Sequence, residues 1–448
     1  MVVFALVGAS SVIAGDIGGS RLTAAATSPI QHVVIVLQEN HSFDNVLGRL
    51  CSEIDQGLIA HEPCDGATSG VLPDGTVIPL GRSPDIVPST THTVIGQRRS
   101  IDGGKMDGFG LVHGCTKAEK YACYSQFDPE QVPNLTALSE AFAISDRTFE
   151  FATTPSWGGH MVLASATLDG FRGDNPKTTL ISGLGWGCDS RSDSPWWNGS
   201  AFVREPSCIP DQSGRGPYRP SPVPYVPTIF DRLDAAARSW RIYGGTGGPG
   251  LPASGYGWTI CPTFYECLGS GQRANLVPAA QVLSDAEAGT LPNYAVVTPV
   301  LVNSQHNKSS MAAGDDWIGQ VVGSIMDGPD WASTAIFVVY DDCGCFYDHV
   351  APPDANTGIR VPMTIVSPYA KPGSTDSKDA TFMSMLAFTE HTFGLAPLTA
   401  ADANAYDYGG SFDFGQHPLS PIELVRVRVP AWEVRFIATH PVEEDDPT

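Results

Sequence analysis

Two continuous apolar runs, far apart in the chain, both empty into oxygen-bearing side chains. The first is Val33-Val34-Ile35-Val36-Leu37, followed by Gln38-Glu39-Asn40-His41-Ser42-Phe43-Asp44. The second is Ala335-Ile336-Phe337-Val338-Val339-Tyr340, followed by Asp341-Asp342-Cys343-Gly344-Cys345. Each run is short and rich in β-branched or aromatic residues, so it reads as a buried strand rather than a helix. In an open α/β sheet, ligands bind at the carboxyl ends of the strands. Carboxylates grouped at such an edge are costly unless a cation or another partner offsets them. Two buried strands that end this way point to one shared site, with Glu39, Asn40, Asp341 and Asp342 as candidate metal ligands. A solvated acidic loop after a core strand is the competing reading of either piece taken alone.

The remaining chain alternates helix and strand signals. A helix is expected over 135–142 after Pro133, then a strand over 143–146. A tight turn at Pro155 leads to a helix from about Gly159. The apolar spacing over 227–240 is helical, and Arg241-Ile242-Tyr243 reads as the strand that follows. Further strands are expected at 294–298 and 363–366, and helices at 314–326 and 382–393, the latter stopped by Gly394. The alternating segment 424–429 reads as an edge strand. This succession implies an α/β sandwich with a mostly parallel central sheet, in one domain over 28–442. Stretches rich in Gly, Pro or Ser at 51–100, 171–226 and 244–273 read as long loops. The second carries Trp196-Trp197, a pair that suits a substrate cleft, a lipid surface or the core of a loop.

Lys plus Arg number 26 against 48 Asp plus Glu, a formal net charge of −22 that disfavours nucleic acid and anionic membranes as partners. Zwitterionic lipid is not excluded by that charge. The apolar start over 1–27 is similar to a signal peptide, without a basic leading region, and no later segment is long and apolar enough for a membrane span. The tail 443–448 is acidic. Of ten cysteines, Cys51 and Cys64, Cys115 and Cys123, Cys188 and Cys208, and Cys261 and Cys267 are close in sequence, as disulfides of an oxidising compartment would be. A secreted, periplasmic or cell-surface location is expected. Cys343 and Cys345 flank Gly344 beside the acidic pair and are read as a further disulfide, a soft-metal pair or members of distant pairs.

The two ends of the site resemble the motifs of a known family, the bacterial phosphoesterases that comprise phospholipases C and acid phosphatases. Glu39-Asn40-His41-Ser42-Phe43-Asp44 with Gly48 is similar to its opening motif. Tyr340-Asp341-Asp342, Gly344, Phe346-Tyr347-Asp348-His349-Val350 and Pro352-Pro353 are similar to its closing motif, in which Asp-Glu usually stands where this chain has Asp341-Asp342. The resemblance extends from about residue 31 to about residue 415 and implies an alkaline-phosphatase-like fold. It also implies an active-site role for His92, upstream of Gly103-Gly104-Lys105-Met106-Asp107-Gly108-Phe109, and for His306 after the strand at 294–298. His349 joins them from the closing motif. Setting His160 at the position of the family's motif arginine places Ser156 on the nucleophile. Gly158 and Gly159 then replace the family's Pro and Asn, and Thr153 and Thr154 remain alternative nucleophiles. His160 would contact phosphate in the arginine's place.

The residue types suit that chemistry. A hydroxyl at a helix N-terminus meets unpaired backbone N–H groups that favour an anion, although plain capping by Ser or Thr has the same appearance. Hard oxygen ligands suit Mg²⁺, Mn²⁺ or Ca²⁺. The expected activity is metal-dependent hydrolysis of a phosphate ester through a phosphoryl-enzyme intermediate. Phospholipase C action on phospholipid diesters comes first and acid phosphatase action on monoesters second. A secreted lipid- or glycan-binding protein ranks lower, as does a serine esterase, for which no Gly-x-Ser-x-Gly elbow surrounds Ser156.

Overall fold

The computed structural model describes residues 1, 28–178, 185–217, 219–246 and 254–440. Apart from Met1, the signal-like segment lies outside the described residues, as does the acidic tail. Eight strands form the central sheet: β1 (His32–Gln38), β2 (Ala143–Ser145), β3 (Trp240–Gly244), β4 (Leu276–Pro278), β5 (Tyr294–Val297), β6 (Thr334–Tyr340), β7 (Met363–Val366) and β8 (Ser374–Asp376). Their order is β4-β3-β5-β1-β6-β7-β2-β8. Every neighbouring pair is parallel except those that β7 makes with β6 and β2. The fold is α/β with a mostly parallel sheet.

The two apolar runs are neighbours in the middle of this sheet. All of β6 is buried, as is β1 after His32. The parallel register sets Gln38 opposite Tyr340, so Glu39 and Asp341 leave the carboxyl edge side by side. This register is what turns two distant sequence motifs into one site.

Four helices matter for the site: α1 (Pro133–Ala141), α2 (Ser156–Ser165), α3 (Met311–Asp327) and α4 (Phe382–Phe393). α1 packs on α3 and α2 on α4. Asp315 of α3 accepts the first backbone N–H groups of α1, those of Asn134 (3.0 Å) and Leu135 (2.9 Å), whose donors have no partner within their own helix. Gly394 ends α4 in the left-handed region at φ 66°.

Four expectations change. α2 begins at Ser156, not near Gly159, because Pro155 immediately precedes its first turn and Gly158 and Gly159 continue the helix. The stretch 424–429 forms no ladder. Its Val425 N–H goes to Asn134 Oδ1 (2.7 Å) and its Val427 N–H to Asp316 Oδ1 (2.8 Å), so it lies along α1 and α3. Of the alternating valines, Val427 and Val429 are half-buried while Val425 is 53% exposed, so the pattern marks no fully covered side. The loop at 171–226 holds a small antiparallel sheet of Lys177–Thr178, Ser192–Trp197 and Phe202–Pro206. The four expected disulfides are present, whereas Cys343 and Cys345 are buried free thiols.

Candidate active site

The loops after β1 and β6 are tied to each other before any ligand is considered. Asn40 adopts φ 64°, a left-handed conformation that Asn tolerates better than most residues. Its N–H donates to Asp341 Oδ1 at 2.8 Å, and the Asp342 N–H donates to the same oxygen at 2.8 Å. Gly344 has φ 53° and passes so close that a Cβ there would fall 1.9 Å from Asn40 O. Only glycine meets both demands. The Gly344 N–H holds Asp342 Oδ1 at 2.6 Å, and the Cys343 N–H donates to Glu150 Oε1 at 2.9 Å.

Ser156, the first residue of α2, completes the centre. Its Oγ is 3.3 Å from Asp342 Oδ2 and 3.2 Å from one end of the Asn40 carboxamide. The other end of that carboxamide is 2.9 Å from His306 Nε2. Turned with its nitrogen toward the carboxylates, the amide donates to Asp342 while its oxygen accepts from His306. Asn40 thus links the hydroxyl to the histidine. A Cβ on Gly159 would fall 2.8 Å from Asp341 O, so this glycine lets α2 approach the end of β6. The alternative nucleophiles face elsewhere. Thr153 Oγ1 accepts from Arg98 Nε at 3.3 Å, and Thr154 packs under Gly158 and Gly173.

His92 is buried beside this centre. Its ring centre lies 6.5 Å from that of His306, and Gln97 ties the two loops by donating to His92 O and Thr154 O. His160 sits one turn along α2 with both ring nitrogens engaged. Nδ1 is 2.6 Å from Trp258 O, and Nε2 is 3.1 Å from Glu39 Oε1 and 3.7 Å from Asp341 Oδ2. These contacts place His160 beside the carboxylates of Glu39 and Asp341.

His349 is placed in a different network. Its Nδ1 is 2.7 Å from Asp44 Oδ2 and its Nε2 is 3.0 Å from Asp65 Oδ1. Beside it, the buried guanidinium of Arg360 reaches Asp348 (3.1 Å), Asp44 (3.2 Å) and the carbonyl oxygens of Asp65 and Asp146, and lies over the Phe43 ring. Among the described residues no hydrogen bond or ion pair joins His349 to Ser156. The network holds the opening and closing motifs together. Sequence reasoning missed Arg360, because a buried and an exposed arginine look alike in a sequence. It also missed Glu150 beneath Cys343, which carries no motif.

Glu39, His160 and Asp341 offer ligand atoms within 4.8 Å of one another. Burial, and then the charge of Asp341, pushes the Glu39 carboxyl up to about 8. Burial and Asp341 likewise raise Asp342 well above the usual carboxylate range. Burial opposes charge on His160, but the carboxylates of Asp341 and Glu39 outweigh it and push the imidazole up to about 10. Burial also opposes charge on Asp341, and His160 holds that carboxyl down at about 2. Glu39 Oε2 and Asp341 Oδ2 are buried without any hydrogen-bond partner. Buried orphan carboxylate oxygens fit a divalent cation, which would satisfy them and offset the clustered charge. The second group within reach of a metal, Asp44, Asp348 and His349, is already balanced by Arg360.

A buried hydroxyl at the start of a helix lies next to a carboxylate–imidazole cluster at the carboxyl edge of a mostly parallel sheet, in an α/β protein. The chain belongs to the phosphoesterase family, whose model matches residues 30–396. It is similar to non-specific phospholipase C1 of Arabidopsis thaliana, 25% identical over 390 residues that cover 77% of this chain and 62% of that one. It is also similar to phospholipase C A of Mycobacterium tuberculosis, 24% identical over 448 residues that cover 87% and 78%. The chain spans only 62–65% of the length of the first plant relatives. A solved member of the alkaline phosphatase superfamily from Vibrio parahaemolyticus matches with a TM-score of 0.39 at 12% identity, covering 85% of this chain and 71% of that one.

Proposed function

We propose that this protein hydrolyses phosphodiesters of phospholipids, in the manner of a phospholipase C, with Ser156 as nucleophile. The observation that carries the reading is the position of Ser156 Oγ at the start of α2, 3.3 Å from Asp342 Oδ2 and 3.2 Å from the carboxamide of Asn40, whose backbone N–H is bonded to Asp341. Ser156 Oγ attacks phosphorus and forms an Oγ–P bond as its proton passes to the Asp342 carboxylate, from which it returns when the phosphoserine is cleaved. The phosphorus–oxygen bond to the glycerol breaks, and the leaving oxygen takes a proton from the His306–His92 side. Water then cleaves the phosphoserine, which releases the phosphorylated head group and restores Ser156. The start of α2 turns the positive end of its dipole toward the anion, while the Trp157 N–H is held by Asn175 Oδ1 and the Gly158 N–H by Pro155 O. Glu39, Asp341, Asp342 and Asn40, with His160 beside them, would hold a divalent cation, which when bound offsets phosphoryl charge and lowers the pKa of the hydroxyl. The oxygen donors favour Mg²⁺, Mn²⁺ or Ca²⁺, and the imidazole widens the choice among transition metals.

The relatives named as phospholipases C support a lipid diester over a monoester. The four disulfides support an oxidising, extracytoplasmic compartment. The deciding experiment compares p-nitrophenyl phosphorylcholine with p-nitrophenyl phosphate, for the wild type and Ser156→Ala. Faster turnover of the diester, abolished in the variant, is expected. Faster turnover of the monoester would make the protein a phosphatase, and no turnover of either across pH and added metals would end the catalytic reading.

A further inference from the structure

The hairpin in the second long loop ends in an exposed aromatic pair that catalysis at Ser156 leaves unused. Trp197 is 45% exposed and Phe202 49%, and their rings meet edge to face at 5.3 Å. They face each other across paired strands, so the hairpin presents them together. Two large aromatics held on a surface without covering form an interaction patch rather than a scattered exposure.

The hairpin is fastened to the nucleophile helix. The Trp197 N–H donates to Gly170 O at 2.8 Å, and Trp196 Nε1 donates to Asp169 O at 2.8 Å. Phe171, in the same segment, packs edge to face on Trp157 at 5.0 Å. Asn175 Oδ1 accepts the Trp157 N–H at 2.9 Å, directly after Ser156, and Asp174 Oδ1 accepts from Val94 N, near His92, at 3.3 Å. The patch is thereby fixed beside the site and does not hang from a free loop.

The charge around it selects the partner. A 240 Å³ cavity at the base of the hairpin is lined by Ile95, Arg172, Asp174, Lys177, Asp193 and Arg204. Ile95 is 60% exposed, and the Arg172 guanidinium lies 5.7 Å from the Phe202 ring centre. Arg172 pairs with Asp174 there and Arg219 with Asp193, so cations and carboxylates lie side by side around one small space. That mixture complements a head group bearing both an anionic phosphate and a cationic amine. A net charge of −22 opposes an anionic surface, while aromatic side chains settle at the boundary between head groups and acyl chains.

We infer that the hairpin Ser192–Trp197 and Phe202–Pro206 docks the protein on a zwitterionic phospholipid surface, with Trp197 and Phe202 entering the interface. This rests on the phospholipase reading for its purpose, but not for its test. The experiment uses the full chain and the double variant Trp197→Ser/Phe202→Ser, with Phe202→Ser alone as a milder change. Co-sedimentation is measured with vesicles of phosphatidylcholine and of phosphatidylglycerol. Turnover is measured on phosphatidylcholine vesicles and on soluble p-nitrophenyl phosphorylcholine.

The wild type should sediment with phosphatidylcholine in preference to phosphatidylglycerol. The double variant should lose binding and vesicle turnover by about tenfold or more, as expected for withdrawing two half-exposed aromatics from an apolar phase, with soluble turnover unchanged. Vesicle binding equal to wild type in the double variant would overturn the inference, as would equal losses on both substrates or a preference for phosphatidylglycerol. Hairpin-dependent sedimentation without turnover of any diester would support docking while removing the phospholipase reading.

Discussion

The Asn40 N–H and Asp341 Oδ1 are 2.8 Å apart, although 301 positions separate the two residues in sequence. That bond ties the loop after β1 to the loop after β6 at the point where both present carboxylates. It requires the strained backbone of Asn40 and the close passage of Gly344, and strain of this kind is retained where the surroundings over-determine it. The centre is therefore held by the protein itself, and a cation would enter a prepared arrangement.

Ser156→Ala should lower turnover by at least about 10³-fold, as removal of a covalent nucleophile does elsewhere, with circular dichroism unchanged. Thr153→Ala and Thr154→Val should retain most activity, because neither hydroxyl faces Asn40 or Asp342. Burst kinetics with p-nitrophenyl phosphorylcholine would check the assignment. An inactive Thr153→Ala beside an active Ser156→Ala would transfer the nucleophile.

Divalent metal should stabilise the fold as well as support activity. Chelation should lower Tm, and Mg²⁺, Mn²⁺ or Ca²⁺ at about 100 times its Kd should restore about 2.7 kcal/mol. In Glu39→Gln and Asp341→Asn the metal-dependent rise in Tm should largely disappear. Calorimetry with and without metal reads this without any substrate. An unchanged rise in both variants would remove the cluster as the metal site.

His349 should make stability depend on pH on the alkaline side. Burial opposes its charge, but Asp44 raises it to about 9, against an ordinary value near 6.5. A folded pKa above the unfolded one means that the stabilisation is complete below about pH 6.5 and is lost as pH rises through about 9. Burial also opposes charge on Asp44, which His349 and Arg360 hold below its ordinary value, so the pair persists down to about pH 4. Melting curves of the wild type and His349→Gln should differ most between pH 4 and 6.5 and converge above about pH 9. A constant difference across that range would contradict the pairing.

Gly344→Ala should cost about 2 kcal/mol or more of unfolding free energy, from the left-handed backbone and the overlap with Asn40 O. It should also weaken the metal-dependent rise in Tm, because the Gly344 N–H holds Asp342. Denaturant melts with and without Mn²⁺ separate the two effects. A variant of wild-type stability would mean that the loop relaxes freely.

The sequence by itself determined the elements and the chemistry at their ends. Unbroken apolar runs such as 33–37 and 335–340 leave little choice but buried strands. The acidic and amide residues after them cannot be buried without partners, and nearness in sequence suggested the four cysteine pairs that the structure then shows. The same local signals could not place Ser156 against Asp342, or show that His160 faces Glu39 while His349 pairs with Asp44. Those facts depend on the parallel register of β1 with β6 and on how closely α2 approaches that edge through Gly159. Arg360 and Glu150 stayed invisible because burial is a property of packing, and an unpaired charge becomes costly only after the chain has closed around it. The alternation at 424–429 was ambiguous for a similar reason. Only the tertiary structure decides that its backbone donors pair with Asn134 and Asp316 instead of a neighbouring strand.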